Sequence, residues 1–354
     1  MSGEAKARPA TGRRATITDV AAYAKVSKKT VSRVINREPH VTPRMYERVN
    51  RAIEELGFSP NAQARSLALG RSFLVGLIYE NPSPTYVVNM QLGILDVLRP
   101  EGMELVVHPT RREAATMLDD VRAVIARQRL DGVILPPPLS EDEALIAMLR
   151  GIGCPYVRIT CTTLDDPAQS VVSNDEWGAA EAACRLADLG HRRIALVRGP
   201  ASYRSSHVRG QAFLAALAER GLAIEGAYDV EGGYTFESGV AAGHRLLALP
   251  QPPTAVFALN DDMAIGVMQA ARERGLTLPD DLSIIGFDDL PMAGRVWPNL
   301  TSVRLPVREM GGLAAARLLV ALAGEDADDP ADDTADAVIR PVLIARRSDV
   351  GPRG

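Results

Sequence analysis

The segment from Ser27 to Arg33 combines basic and hydroxyl side chains at helical spacing. Lys29 and Arg33 are four positions apart, so they share one face of a helix, and Lys28 lies beside them. Their amine and guanidinium groups can donate to guanine O6 and N7 in the DNA major groove. The hydroxyl groups suit phosphate oxygens; they belong to Ser27, Thr30 and Ser32. Taken alone, the pattern fits a solvated basic helix face equally well.

The setting of this segment favours the DNA interpretation. Thr18 is a good N-cap for a first short helix, and Ser27 caps a second helix over 28–35 after a tight turn. A third helix has Pro43 at its first position and stops at Gly57. A basic second helix behind a capped helix and a tight turn is typical of a helix-turn-helix. In that motif the second helix enters the major groove.

Charge is distributed unevenly along the 354 residues. Residues 1–72 hold 14 Lys and Arg against 6 Asp and Glu, a net charge of +8, so the remainder carries −12 of the total −4. A basic head on an acidic body is typical of a nucleic-acid binder with a separate sensor. The length suits two or three folding units.

Several protein classes are disfavoured by what the sequence lacks. No apolar run reaches the roughly 18 residues of a membrane span, and residues 1–15 do not resemble a secretory signal. The cysteines are odd in number and lack metal-ligand spacing; they are Cys154, Cys161 and Cys184. There is no G-x-S-x-G elbow, P-loop or HExxH motif. We therefore expect a cytoplasmic protein that is not an enzyme and needs no metal or cofactor.

From Ser72 onward, near-continuous apolar runs alternate with amphipathic helices. This rhythm predicts parallel sheets covered on both faces, in two α/β subdomains. Ligands of such folds bind beyond the carboxyl ends of strands. That rule directs attention to the residues that follow the apolar runs, namely 79–81, 260–262 and 288–289.

Several stretches resemble the LacI family of transcriptional regulators. The first are TITDVAAYAKVSKKTVSRVIN (16–36) and SPNAQARSLA (59–68). Further along the chain, and in the family's order, come LGHRRIALVRGP (189–200), ALNDDMAIGVM (258–268), LSIIGFDD (282–289) and PNLTSVRLP (298–306). The resemblance implies a small all-α helix-turn-helix head on a core similar to periplasmic sugar-binding proteins. The core would have two parallel-sheet subdomains and bind an effector between them.

The resemblance also divides the chain. It implies a disordered tail over 1–15, a helix-turn-helix domain over 16–58 and a hinge helix over 59–71. The effector-binding and dimerisation core would span 72–348. Its subdomains would comprise about 72–171 with 305–323, and about 172–300 with 326–348. Composition predicts a solvated acidic loop over 325–336.

Residue by residue, the family pattern assigns roles in the head. Lys28, Lys29 and Arg33 fall where family members read bases. Backbone contacts would come from Ser27, Thr30, Ser32, Asn36 and His40. Ala64 and Leu67 fall on hinge positions that enter the minor groove, where a leucine can wedge between base steps. Exposure on a loop is the alternative for His40, and an ordinary hinge contact is the alternative for Leu67.

We expect the effector to be a sugar, because vicinal hydroxyls suit carboxylate, amide, guanidinium and tyrosine side chains. In the core, the family pattern assigns its contacts. They are Arg209, Tyr234, Asn260 and Asp288, with Tyr79 and Asn81 from the other subdomain. Capping a helix is the alternative for Asn260, satisfying loop backbone groups for Asp288, and a surface position for Arg209. Thr160 stands where many relatives have an aspartate, and Arg158 is an unusual charge in an apolar run that we expect to face the cleft or the subdomain junction.

The family pattern further predicts a homodimer on a pseudo-palindromic DNA site. Val296 and Trp297 lie on a loop that resembles a dimer contact, although Trp297 could instead pack within its own subunit or line the cleft. No leucine heptads follow the last apolar run, so a tetramer-forming coiled coil is not expected. A periplasmic-type sugar-binding protein without DNA function is the alternative for the whole chain, and a sugar-processing enzyme is a third class.

Overall fold

A computed structural model describes residues 15–35, 41–58, 71–162, 167–323 and 338–352. The chain forms two compact units, residues 1–72 and 73–354. The expected tail, the acidic loop and nearly all of the hinge lie outside the described residues. Within the described residues no helix is long and apolar enough to cross a membrane.

The first unit contains the helices α1 (Ile17–Tyr23), α2 (Lys28–Ile35) and α3 (Pro43–Leu56). Thr16, not Thr18, caps α1: its hydroxyl accepts from the backbone N–H of Asp19, whose carboxylate accepts from the Thr16 N–H at 2.8 Å. This reciprocal capping box satisfies two donors that a helix start otherwise leaves unpaired. The expectation for Thr18 was therefore wrong.

The small core of the first unit is aliphatic. It is built from one apolar side of each helix, with Val31 and Val34 of α2 facing inward. Gly57 ends α3 in the left-handed region, at φ 56°. Because Val31 and Val34 are buried, the basic residues of α2 are left on the outward side of the unit.

The first sheet of the second unit has five parallel strands in the order β2-β1-β3-β4-β5. They are β1 (Leu74–Tyr79), β2 (Glu104–Pro109), β3 (Gly132–Leu135), β4 (Tyr156–Thr160) and β5 (Ser170–Val172). The helices between them are α4 (Pro84–Leu98), α5 (Met117–Gln128) and α6 (Glu143–Gly151). Alternate residues of β1 enter the two apolar clusters on opposite faces, Leu77 in one and Ile78 in the other.

The second sheet has six strands in the order β11-β10-β9-β8-β6-β7, all parallel except β11. They are β6 (Ile194–Arg198), β7 (Asp229–Glu231), β8 (Ala255–Ala258), β9 (Ser283–Asp288), β10 (Thr301–Arg304) and β11 (Val342–Ile344). The helices are α7 (Asp175–Asp188), α8 (Arg204–Ala218), α9 (Phe236–Leu247) and α10 (Asp261–Glu273). α7 packs on α8, and α9 packs on α10. These parallel strands place several carboxyl ends at one edge, as the sequence predicts.

The last helix, α11 (Val307–Ala323), follows β10 of the second sheet but packs on α4 and on strands of the first. The two helices approach at backbone distance: a Cβ on Gly93 would lie 1.8 Å from the Arg308 carbonyl oxygen, and one on Gly311 would lie 2.6 Å from that of Met90. Only glycine permits this contact. The chain therefore returns to the first subdomain through the short connection 305–306.

Candidate functional site

The outward side of α2 carries most of the side chains that the sequence assigns to DNA. Ser27, Lys28, Lys29 and Arg33 are exposed, and Thr30 and Ser32 are half-buried. Ser27 caps the helix, since its hydroxyl accepts from the Thr30 N–H at 3.0 Å. The arrangement presents a basic face that can approach a groove without unfolding the head. Asn36, His40, Ala64 and Leu67 lie outside the described residues.

A cavity lies between the two sheets of the second unit. Its empty volume is about 580 Å³, open solvent included. Residues from both subdomains line it: Asn81, Ser83, Tyr86, Pro137, Ile159, Thr160, Cys161, Ser173, Asp175, Tyr203, Ser205, Arg209, Tyr234, Asn260, Asp288, Leu305 and Met310. The lining is mainly polar and aromatic, so it can orient a hydroxylated ligand.

Arg209 of α8 is the centre of this lining. Its Nε donates to Oδ2 of Asp175 at 2.7 Å, and its Nη1 donates to the Leu259 carbonyl at 2.8 Å. Nη1 lies 3.6 Å from Oδ1 of Asp288, and the guanidinium sits 3.8 Å above the centre of the Phe287 ring. Carboxylate and ring together fix the plane of the guanidinium. Its remaining N–H groups can donate to a ligand.

Asp288 ends β9 with φ 105°, a backbone conformation that non-glycine residues rarely adopt. Burial raises the pKa of its carboxyl group to about 7; the Arg209 guanidinium lowers that pKa, and the carboxylates of Asp175 and Asp262 raise it. A carboxyl group poised in this way can accept hydrogen bonds from hydroxyls when ionised. Strained backbone conformations of this kind cluster at active sites and ligand-binding sites.

Neighbouring residues hold the Asp288 loop in place. The buried carboxyl of Asp261 accepts from the Leu290 N–H at 2.7 Å and from the Ser302 hydroxyl at 2.5 Å. Asp289, also at positive φ (53°), pairs with Arg304 at 2.8 Å and with Arg346. The loop is therefore anchored at the two residues that follow Asp288.

Asn260 and Tyr234 occupy the cavity wall with structural partners of their own. The Asn260 side chain caps α10, accepting from Met263 N–H at 2.9 Å, and donates to the Tyr234 carbonyl at 3.0 Å. The Tyr234 ring packs directly on Gly199, where a Cβ would lie 2.1 Å from it. The cap that the sequence offered as an alternative for Asn260 is thus present, and the residue also lines the cavity.

From the first subdomain, Asn81 lines the cavity and Tyr79 does not. Tyr79 is the last residue of β1, half-buried, and packs against the apolar core beside that sheet. Arg158 does not line the cavity either, so of the two positions expected for it, the cleft and the subdomain junction, it does not occupy the cleft. It is wholly buried and donates to the Ser140 carbonyl at 2.5 Å and to Glu143 at 2.8 Å, which tethers the loop 139–143.

Three of the lining residues that the sequence analysis did not single out are Asp175, Tyr203 and Ser205. The strand-end rule that selected Asn260 and Asp288 also reaches Asp175, three residues beyond β5. Tyr203 and Ser205 lie five and seven residues beyond β6, and the rule does not reach them. Tyr203 meets Tyr234 edge to face, with ring centres 5.4 Å apart, and Ser205 lies 3.4 Å from the Tyr234 hydroxyl. Together they extend the aromatic wall of the cavity.

The rim of the cavity carries contacts between the two subdomains. Arg112 of the first subdomain pairs with Asp142 at 3.3 Å and donates to the Ser202 carbonyl of the second at 3.3 Å. The Arg204 N–H donates to Glu141 Oε2, also at 3.3 Å. These contacts hold the 200–204 loop against the first subdomain and narrow the opening.

The loop proposed for dimer contact places its two residues differently. Val296 is half-buried and packs against the core, whereas Trp297 is 67% exposed with Arg347 5.5 Å from its ring centre. Trp297 lines no part of the cavity. Among the described residues, no group of three or more His, Cys, Asp or Glu side chains could hold a metal ion.

Two family models match the chain. "Bacterial regulatory proteins, lacI family" matches residues 16–61, and "Periplasmic binding protein-like domain" matches residues 183–348. The chain is 35% identical to catabolite control protein A of Priestia megaterium, across 84% of this chain and 90% of that protein. It is 33% identical to the ribose operon repressor of Escherichia coli, across 85% and 91%.

Two solved structures can be superposed on nearly the whole length of this chain. The lac repressor dimer bound to operator and the anti-inducer ONPF is 29% identical, with a TM-score of 0.74 over 96% of this chain and 100% of that chain. The complex of the transcriptional regulator CelR with cellobiose is 30% identical, with a TM-score of 0.69 over 95% and 100%. These relatives are described as transcriptional regulators, not as enzymes. The chain therefore belongs to the LacI family and is a DNA-binding transcriptional regulator.

Proposed function

We propose that the chain is a repressor whose operator affinity is set by a carbohydrate bound in the cavity between its subdomains. The observation that carries this proposal is the buried cluster of Arg209, Asp175 and Asp288, whose side chains are 7%, 2% and 8% exposed. Fixed donors and acceptors in one small space suit vicinal hydroxyls. Family relatives that are described as ribose operon repressor and CelR–cellobiose complex support the same ligand class.

The effector contacts in this proposal come from both subdomains. Asp288, Asn260, Arg209 and Tyr234 act from the second, and Asn81 acts from the first. The tyrosine wall offers flat apolar faces for sugar C–H groups, with hydroxyls at the edges. The carboxyl groups serve binding and not bond cleavage, so the chain is not an enzyme in this proposal.

Effector binding reaches the first subdomain through the short connection before α11. The Leu305 N–H points at the Asp288 carbonyl at 3.4 Å, Leu305 itself lines the cavity, and α11 begins two residues later. A ligand that draws on Asp288 therefore pulls on the segment that enters the first subdomain. Differential contact of this kind is what a population shift between two states requires.

In the head, Lys28, Lys29 and Arg33 read bases, and Ser27, Thr30, Ser32, Asn36 and His40 contact the DNA backbone. Ala64 and Leu67 enter the minor groove from the hinge. One head of this size reads few base pairs, so two heads on a pseudo-palindromic operator are needed. We place Trp297, with Val296 beneath it, in the interface of a homodimer that acts on chromosomal DNA in the cytoplasm.

The test measures operator binding by fluorescence anisotropy, using DNA from upstream of the chain's own gene and a panel of neutral sugars. One sugar is expected to change wild-type affinity at least about tenfold, on the scale of ordinary allosteric coupling. Asp288→Ala is expected to lose that response and keep operator affinity. Asp119→Ala is the control, because that carboxylate is 83% exposed on α5. Normal sugar affinity of Asp288→Ala in calorimetry would place the site elsewhere.

A further inference from the structure

The cavity lining contains little positive charge. Of its seventeen residues, all of them described, Arg209 alone is cationic, while Asp175 and Asp288 are acidic. Every other polar group in the lining is a hydroxyl, an amide or a thiol. An anionic ligand would therefore have to find its counter-charge in Arg209.

Arg209 is already neutralised by protein carboxylates. Asp175 takes its Nε at 2.7 Å, Asp288 lies 3.6 Å from Nη1, and that same Nη1 donates to the Leu259 carbonyl. Asp175 also accepts from the Ser173 hydroxyl at 2.6 Å, which holds it as an acceptor. The guanidinium can still donate to hydroxyls through its other N–H groups, but its charge is compensated.

The described part of the rim carries two arginines, Arg112 and Arg204, and neither lines the cavity. Arg112 is engaged by Asp142 and by the Ser202 carbonyl. Glu80 and Glu141 lie close enough to Tyr203 that, after burial, their negative charges raise the pKa of its hydroxyl. Arg204 at the rim is exposed, and its backbone N–H donates to Glu141. The charges of the lining residues therefore sum to neutral or negative.

A ligand carboxylate or phosphate placed here would lie within several ångströms of Asp288 and Asp175 and away from bulk water. Like charges repel strongly in such a setting because the effective dielectric constant is low. Unpaired or like charge is also the means by which binding sites reject close analogues. An uncharged polyol avoids this repulsion, and its hydroxyls can donate to the ionised carboxylates.

We propose that the cavity selects an uncharged carbohydrate and excludes uronates and sugar phosphates. This inference rests on the proposed function, which makes the cavity a carbohydrate site, and adds the charge of the ligand to it. Asp175 is then a specificity residue: it removes the anion-binding capacity that Arg209 would otherwise have.

Calorimetry on the full chain at pH 7.5 tests the inference with pairs that differ only in charge. The probes are D-glucose with D-glucuronate, D-galactose with D-galacturonate, and D-ribose with D-ribose 5-phosphate. In any pair whose neutral member binds, the anion is expected to bind at least about 100-fold more weakly, the scale of a like-charge contact in a partly buried site. An anion that binds as tightly as its neutral partner, or more tightly, overturns the inference.

Two variants are expected to change anion affinity in the opposite direction, from weak binding to tighter binding. Asp175→Asn removes the closest carboxylate from Arg209 and is expected to raise affinity for the anionic probes at least about tenfold over wild type. Asp288→Asn is the second variant should the first not fold, and Asp119→Asn is the matched surface control. Unchanged anion affinity in both folded variants overturns the inference. If the variants gain anion binding while wild type binds no neutral probe, the result supports charge exclusion. It then contradicts only the proposal that the ligand is a carbohydrate.

Discussion

The raised pKa of Asp288 has a measurable effect on folding stability. Its folded-state pKa is about 7, and the ordinary value is 3.8. Between these pH values the folded chain holds a proton on Asp288 that the unfolded chain has lost. The contribution of Asp288 to the free energy of unfolding is therefore fully present below pH 3.8 and is lost as pH rises to 7. Asp288→Asn keeps the shape and removes the charge. Relative to wild type it is expected to be more stable by about 4 kcal/mol at pH 8, from about 1.4 kcal/mol per pKa unit.

The decisive quantity is the difference in free energy of unfolding between Asp288→Asn and wild type, and how that difference changes with pH. It is expected to grow by about 2 kcal/mol between pH 5.5 and pH 8, because half of the shifted range is traversed there. Urea unfolding of the effector-free full chain measures it, followed by the fluorescence of the two tryptophans, Trp177 and Trp297, both in the second subdomain. Asp119→Asn controls for removal of a surface carboxylate. A difference that stays constant with pH, or that shrinks as pH rises, would refute the reasoning about burial at Asp288.

Three further predictions concern DNA and assembly. Arg33→Ala should lose about 1–3 kcal/mol of specific binding and relax preference at one base pair; an equal loss on all sequences in gel shifts would make it a phosphate contact. Leu67→Ala should reduce DNA bending in a circular-permutation gel more than it weakens nonspecific binding, and unchanged bending would remove the wedge role. Wild type should sediment as one dimeric species at micromolar concentration, and Trp297→Ala should dissociate more readily; a dimer of unaltered affinity would exclude Trp297 as the anchor.

The parts of the fold that obey local rules could be predicted from the sequence. Ser27, Pro43 and Gly57 mark the ends of α2 and α3, where the structure has them. The start of α1 was placed two residues late because both candidate caps are threonines. The capping-box spacing from Thr16 to Asp19 distinguishes them, and that pairing is visible in the sequence.

The site shows where sequence rules stop. The strand-end rule selected Asn260 and Asp288, and both line the same cavity. It also selected Tyr79, which does not line the cavity, because the last residue of a strand can still face the core side of the sheet. Arg158 could not be placed, since its partners are a carbonyl in the loop after β3 and a glutamate fifteen positions away. Asp175 is within reach of the strand-end rule, but its contact with Arg209, thirty-four positions along the chain, comes from the fold.

The glycine contacts between α4 and α11 leave the two helices little room to move relative to each other. Side chains that interdigitate can slip between rotamers and absorb a displacement, but backbone resting on backbone has no such slack. The two helices are therefore expected to move together, turning at the connection that contains Pro306. A spin-label distance between them should stay the same with and without effector. The outward side of α4 carries two exposed apolar residues, Val88 and Leu92. A displacement of α11 on effector binding is therefore expected to shift this apolar surface as well.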